Sequence, residues 1–342
     1  MRILGEVDLL YLNYVNNFRA VAIIFVIASH VIEPFSQSGM IVYSIFSNLF
    51  REGTVLFVFI AGLLFHHLSF KYKYSKYLKS KVKYVLTPYI IISIPAILLV
   101  TSLGGVPRHE FILDYSKFFQ VFYLYITGSH LGPLWFIPMI FIFYVISPIL
   151  IKLIDWEYFN YVFIVSFIIS ILTLKNFDNV IQSFLHYFFS YIAGMYLSKN
   201  KEKILSFIDK YKFIILCLFT VLFTVGTITH YNDLGPLTDI FIYSNKIVLA
   251  FLIMFYLYKY DSRIEKKFDK LAQYSFGLFF IHAYISGIYF KIIEIYVNLN
   301  GLNDIYNFFL IIISTVFITV ISLMCLIPAK KILGNKSRYL IG

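Results

Sequence analysis

Residues 18–33 read FRAVAIIFVIASHVIE, an almost wholly apolar run with Arg19 near its start, His30 near its end and Glu33 just beyond. At about 100° per residue, the step from Arg19 to His30 returns to within about 20° of the same helix face. At a rise of about 1.5 Å per residue, the two side chains lie about 16 Å apart along one stripe. Glu33 follows His30 at a spacing where two helical side chains touch. Ionisable groups at membrane depth are costly unless paired or hydrated, so such a stripe reads first as a functional site.

The rest of the chain explains why that depth is a membrane. Of 342 residues, 60% are hydrophobic, 20% aromatic and only 14% charged, with a mean hydropathy of +0.80. Long apolar runs recur from end to end, which predicts an all-α, polytopic integral membrane protein. Ten transmembrane helices are expected near 16–34, 53–70, 84–103, 134–154, 159–174, 180–198, 211–230, 238–258, 272–292 and 305–328. The whole chain, 1–342, reads as one multi-pass domain of the plasma membrane. Its first run is too long and too polar at its end for a cleaved signal peptide. Cys217 and Cys325 both lie inside apolar runs, so neither a disulfide framework nor a metal site is indicated.

The net charge of +11 is explained by where the lysines and arginines fall. They cluster at Lys71, Lys73, Lys76, Lys79, Lys81 and Lys83, then at Lys199, Lys201, Lys203, Lys210 and Lys212. Further clusters are Lys259, Arg263, Lys266, Lys267 and Lys270, and the tail with Lys330, Lys331, Lys336 and Arg338. The alternate connections hold only Arg51, Arg108, Lys117 and Lys175. That bias places both termini and the clusters in the cytoplasm, and it makes nucleic acid an unneeded partner. The segment 118–128, FFQVFYLYITG, is too short to span and precedes Gly132 and Pro133. It reads as an interfacial or re-entrant piece on the outer face.

Other polar residues sit where lipid rejects them: His282 in SFGLFFIH, His186, and Lys246 beside Asn245. For a lone intramembrane histidine the plain alternative is a hydrogen bond between helices. His30 departs from that alternative because a carboxylate lies three residues on and an arginine shares its stripe, which suits a general base. The run KYKYSKYLKSKVKYVLTPY either holds a loop on the anionic inner face or gathers ammonium groups for a phosphate-bearing ligand. Gly53, Gly62 and Gly194 most simply permit close helix packing.

These pieces, in this order, resemble the membrane acyltransferase-3 family. The resemblance is carried by the Arg19-to-His30 spacing, by FVFIAG at 57–62 with the basic run leading to LTPY, by LWFIP at 134–138, and by YSFGLFFIH at 274–282. It implies an acyltransferase that takes an acyl group, acetyl or succinyl, from a coenzyme A thioester at the cytoplasmic side. The acceptor would be a hydroxyl of an exported polysaccharide or lipid-linked sugar, as in the stand-alone, intercellular-adhesion type that modifies exopolysaccharide in biofilms. Carried onto this sequence, His30 would be the base, Glu33 its orienting carboxylate, and Arg19 a catalytic and coenzyme-binding cation. Lys79, Lys81 and Lys83 would steer the coenzyme, while Trp135, Tyr274 and His282 would contact substrate. The acyl-CoA is a co-substrate, and no metal is implied. The run before LTPY has lysines where many members have arginines, and lysine is a poorer bidentate phosphate clamp. Two further readings stay open: a polysaccharide exporter or flippase, which would line a wide path, and a non-catalytic subunit of a glycan synthase complex.

Overall fold

A computed structural model describes residues 12–36, 40–102, 111–264, 268–299 and 302–342. Arg108, Lys266 and Lys267 lie outside the described residues. The helices are α1 Asn13–Val31, α2 Met40–Phe50, α3 Thr54–His67, α4 Tyr74–Lys81, α5 Thr87–Ser102, α6 Lys117–Thr127 and α7 Phe136–Val145. They continue as α8 Ser147–Asp155, α9 Phe159–Leu172, α10 Val180–Lys199, α11 Lys201–Tyr231, α12 Pro236–Lys259, α13 Asp269–Tyr296 and α14 Asp304–Leu333. No strand occurs among the described residues.

Among the described residues, seven stretches are long and apolar enough to cross a bilayer, and a bent pair, Lys117–Thr127 with Gly132–Val145, makes up to eight. The remaining expected spans are helices of another kind. α9 has 14 residues, and α10 has 20 but carries Gln182, Ser183, His186 and Ser190. A helix buried between protein neighbours tolerates such residues, and α10 is packed against α3 and α9. Length and composition therefore support seven or eight of the ten expected spans.

Two boundaries move. The second span begins at Met40 rather than 53, because α2 and α3 run on through a short break at 51–53. The third begins at Tyr74 rather than 84, so the lysine-rich run expected as a loop is helical. Lysine and leucine are good helix formers, and no glycine or proline interrupts α4. The interruption comes just before Pro88, which lacks an N–H and crowds the preceding turn. Val82–Leu86 widens there into a π-helical turn, with the Thr87 hydroxyl donating to the Val82 carbonyl at 3.1 Å.

α1 sits at the centre. Tyr14, Val15, Phe18 and Ala22 enter one apolar cluster, while Ile23, Val26, Ile27 and Val31 enter another on its other side. A helix apolar all round is one buried all round. α11 is the opposite case, mostly exposed and suited to face lipid. Contacts between helix ends gather the lysine-rich connections on one face. Asn13 donates to Asp261 at 2.8 Å, the Lys201 ammonium lies 4.4 Å from the Tyr258 ring, and Lys330 donates to the Gln273 carbonyl at 3.2 Å. At the other face, the Val42 amide donates to Asp304 at 3.2 Å and Arg51 lies 3.6 Å from Asp239. This grouping agrees with the alternation of charge along the sequence.

α3 and α10 run in the same direction and cross at two glycines. A Cβ added to Gly62 would stand 2.0 Å from the Tyr191 carbonyl oxygen, and one added to Gly194 would stand 2.0 Å from that of Phe59. Both obstacles are helix backbone, which does not yield as a side-chain tip would. Gly62→Ala or Gly194→Ala is therefore expected to destabilise the purified protein by about 1–3 kcal/mol or more. Gly287→Ala, with nothing within 4 Å, is expected to be neutral; thermal unfolding in detergent compares the three.

Candidate active site

At the lysine-rich end, Arg19 projects from α1 and donates from Nη2 to the Ser275 hydroxyl of α13 at 3.0 Å. Three further cations gather at this end from distant parts of the chain. Arg338 acts electrostatically on Arg19, Lys81 and Lys330. Aromatic faces hold these cations in place. Lys81 stands 4.7 Å from the Tyr144 ring, Lys330 4.4 Å from Tyr274, and Arg338 4.5 Å from Tyr84. Lys83 lies 5.3 Å from the Tyr339 ring. Among the described residues, none of these five cations forms an ion pair with a carboxylate. Like charges gathered without counter-charge make a receptor for a polyanion.

Higher on the same α1 stripe, His30 faces His282 of α13, with ring centroids 5.4 Å apart. His282 is fully buried, and its Nδ1 lies 2.8 Å from the Leu278 carbonyl. A carbonyl only accepts, so Nδ1 carries the hydrogen and Nε2 of the neutral ring is left as an acceptor. That Nε2 is buried with no hydrogen-bond partner. Among the described residues His30 makes no hydrogen bond, and its ring edge lies against Gly132, where an added Cβ would stand 3.6 Å from Cε1 and Nδ1. Two imidazoles with unused nitrogens can take up and return a proton.

Gly132 reaches His30 because α6 and the helix after it are bent by 74°. The bend turns on Gly128, whose φ is +70° and whose added Cβ would strike the Leu134 carbonyl oxygen at 2.5 Å. His130 secures the bend by donating from Nδ1 to the Leu124 carbonyl at 2.9 Å. The segment 118–128, expected as an interfacial or re-entrant piece, falls on α6 and is one arm of a broken span or re-entrant loop.

Elsewhere in the protein interior, Glu52 in the α2–α3 break is buried with Lys175 at 2.8 Å, the Tyr187 hydroxyl at 2.5 Å and His186 Nε2 at 3.4 Å. Lys246 has a different use. It is wholly buried and donates to the carbonyls of Asn48 and Leu49, at 3.0 and 2.5 Å, which closes the end of α2.

The expected site residues separate accordingly. Arg19, Lys81 and Lys83 join the cationic end, Lys83 from an exposed position against the Tyr339 ring, whereas Lys79 is exposed and has no such ring contact among the described residues. Tyr274, expected to contact substrate, lies under the Lys330 ammonium at the cationic end, 4.4 Å from it. Trp135 is buried and stacked on Tyr187 at 5.7 Å, beside Lys175. Among the described residues, Glu33 makes no ion pair or hydrogen bond with His30. Helix α1 ends at Val31, and the 3-10 turn Glu33–Phe35, with Pro34 inside it, sends the carboxylate into the exposed layer. Glu52, Lys175, Lys330 and Arg338 were not singled out from sequence. The only local signal for Glu52 is an acid between two apolar runs, in LFREGTVLF.

Comparison with known proteins bears on what this arrangement does. The family described as an acyltransferase domain matches residues 12–324. A Staphylococcus epidermidis protein named as a probable poly-β-1,6-N-acetyl-D-glucosamine export protein is 24% identical over 309 residues, covering 82% of this chain and 81% of its own. A Staphylococcus aureus protein of the same name is 24% identical, over 78% of this chain and 80% of its own. A Bacillus subtilis protein named as a putative membrane-bound acyltransferase is 21% identical, over 70% of this chain and 69% of its own. No solved structure matches the chain.

The two kinds of buried ionisable group make opposite demands on stability. His30→Ala breaks no hydrogen bond and is expected to cost about 1 kcal/mol or less. Lys246→Ala strands two buried carbonyls and is expected to cost about 2–4 kcal/mol. Denaturation of the detergent-solubilised variants, followed by intrinsic fluorescence, gives both values.

Proposed function

The chain belongs to the acyltransferase-3 family, and from that membership we propose that it is a plasma-membrane O-acyltransferase. It moves an acyl group, acetyl or succinyl, from acyl-CoA at the lysine-rich, cytoplasmic end to a hydroxyl of an exported or cell-surface polysaccharide. The observation that carries this reading is the pairing, along α1 and α13, of a cationic cluster at Arg19 with the facing imidazoles of His30 and His282, which make no hydrogen bond to each other or to a carboxylate among the described residues. Arg19, Lys81, Lys330 and Arg338 have the charge to hold the phosphates of the coenzyme. The rise of α1 puts His30 about 16 Å further along, a distance comparable to an extended pantetheine arm. A donor bound at the cations therefore presents its thioester at the histidines.

There the hydroxyl oxygen attacks the thioester carbonyl carbon while His30 takes the hydroxyl proton. The carbonyl becomes an oxyanion, a C–O bond forms, and its collapse breaks the C–S bond. The thiolate leaves and takes the proton from His30. His282 faces His30 with Nε2 unused, and it supports the same proton transfer by accepting from whichever donor lies between the rings. Glu33 has no part in this mechanism, since it makes no ion pair or hydrogen bond with His30 among the described residues.

A second reading is favoured by the names of the staphylococcal relatives, which describe export of poly-β-1,6-N-acetyl-D-glucosamine. The two readings part on a purified system. In nanodiscs with acyl-CoA and a soluble oligosaccharide of β-1,6-linked N-acetylglucosamine, the wild type is expected to release free coenzyme A and yield an acylated sugar by mass spectrometry. His30→Ala is expected to lose about 10²–10⁴ in rate while remaining folded. Glycan crossing proteoliposomes unmodified, with no coenzyme release, would replace acyl transfer with export.

The cationic end makes its own prediction. Lys330→Gln with Arg338→Gln is expected to raise the KM for acyl-CoA about tenfold, equivalent to about 1.4 kcal/mol, with kcat little changed. Titration of the free coenzyme by calorimetry checks the same loss directly, and salt should reduce wild-type affinity more than that of the variant.

A further inference from the structure

Glu52 is unusual twice over. Its φ is +61°, in the left-handed region that an L-residue with a long side chain enters only at a cost in energy. Its carboxylate is nevertheless buried at the centre of a charged unit drawn from three places in the chain. Lys175 comes from the connection between α9 and α10, while His186 and Tyr187 come from α10. A break that only joined two helices would use glycine at this position; here the glycine is the next residue, Gly53.

Lys175 is the member of the unit that shares a short turn with His30: in Gly132–Trp135, Gly132 lies against the His30 ring and Trp135 beside the Lys175 ammonium. Its side chain is 19% exposed, against 9% for Glu52, so it is the less enclosed member of the pair. Phe177, Trp135 and Tyr187 flank it at 4.5, 5.4 and 6.0 Å from their ring centroids. It also acts electrostatically on His30. The other charges around Glu52 are already engaged. Lys246 serves the Asn48 and Leu49 carbonyls, and Arg51 lies 3.6 Å from Asp239.

We propose that Lys175 is the cation that stabilises the thioester oxyanion beside His30, and that Glu52 is the positioning residue that holds Lys175 there. The assignment rests on the acyl-transfer reading given above. The electron balance is that of ordinary acyl transfer. As the acceptor oxygen bonds to the carbonyl carbon, the π pair moves to the carbonyl oxygen opposite Lys175. That pair returns to expel the thiolate, and the hydroxyl proton passes through His30 to sulfur. A preorganised cation in a site from which most water is excluded is the kind of group that lowers such a barrier. The left-handed backbone at Glu52 is then retained for charge placement rather than for joining helices.

The test uses the full-length protein in nanodiscs, with Lys175→Met, Lys175→Arg, Glu52→Asn and the double variant Glu52→Asn with Lys175→Met. Asparagine accepts positive φ, and removing both charges together leaves no stranded ion, so the double variant is expected to fold even if a single one does not. Rates are expressed per folded molecule, counted from size exclusion and the thermal transition. Lys175→Met is expected to lose about 10²-fold in kcat with the KM for acyl-CoA within threefold, and Lys175→Arg to recover at least a tenth of wild-type kcat. The double variant is expected to lose no more than Lys175→Met, because the two residues act as a unit.

A folded double variant within threefold of wild-type kcat overturns the proposal, as does a loss confined to KM. Activity that falls only with the folded fraction makes the unit a helix clamp and also overturns it. A wild type that transfers nothing from any acyl-CoA overturns the acyl-transfer reading itself, whereas an active wild type with an equally active Lys175→Met overturns this proposal alone.

Discussion

The crossing of α3 and α10 at Gly62 and Gly194 is the constraint on which the rest of the structure depends. Only where both backbones lack Cβ atoms do two helices approach so closely that a carbonyl of one stands where a methyl of the other would be. That approach fixes the register of the pair over its whole length. At one end, His66 lies 2.8 Å from Ser198; at the other, Glu52 meets His186 and Tyr187. A helix pair held a few ångströms further apart would leave Glu52 as a buried charge without partners, which is a far heavier cost than a lost surface ion pair.

Helix α1 passes between the two apolar clusters and carries the polar groups that neither cluster can absorb. Arg19 is met by the Ser275 hydroxyl, and His30 is met by the ring of His282, both from α13. One pair of helices therefore spans the distance between a cationic end and an imidazole centre. Structural buried charge looks different. Lys246 spends its ammonium on backbone carbonyls and leaves nothing over for a ligand, whereas the cations around Arg19 retain their charge uncompensated. The same contrast separates His130, committed to holding a bend, from His30, whose nitrogens are held by no group among the described residues.

Irregular backbone clusters around this centre. The left-handed residues Glu52 and Gly128, the π-helical turn before Pro88 and the bend after α6 all lie within membrane-crossing stretches or beside them. Non-helical backbone is tolerated at such depth where protein covers it or where it lines a polar cavity. Each irregularity here delivers a side chain or an approach that a straight helix lacks: Glu52 to Lys175, Gly132 to His30, and Lys81 with Lys83 towards Arg338.

The membrane class, the all-helical architecture, the lysine-rich face and the Arg19–His30 stripe were determined by the sequence alone, because hydropathy and helical period act over neighbouring residues. The same short-range logic failed at Glu33, where spacing allowed contact but the end of α1 and Pro34 redirected the chain. It also failed at the lysine run, which reads as a loop by charge and folds as a helix by propensity. What only the tertiary structure decided is which distant groups share a site. Glu52 and Lys175 are 123 residues apart, and Arg19 and Ser275 are 256 apart. No periodicity connects such positions. Their meeting follows from which helices can approach closely, and that is settled by backbone contact at glycines and by the need of each buried charge for a partner.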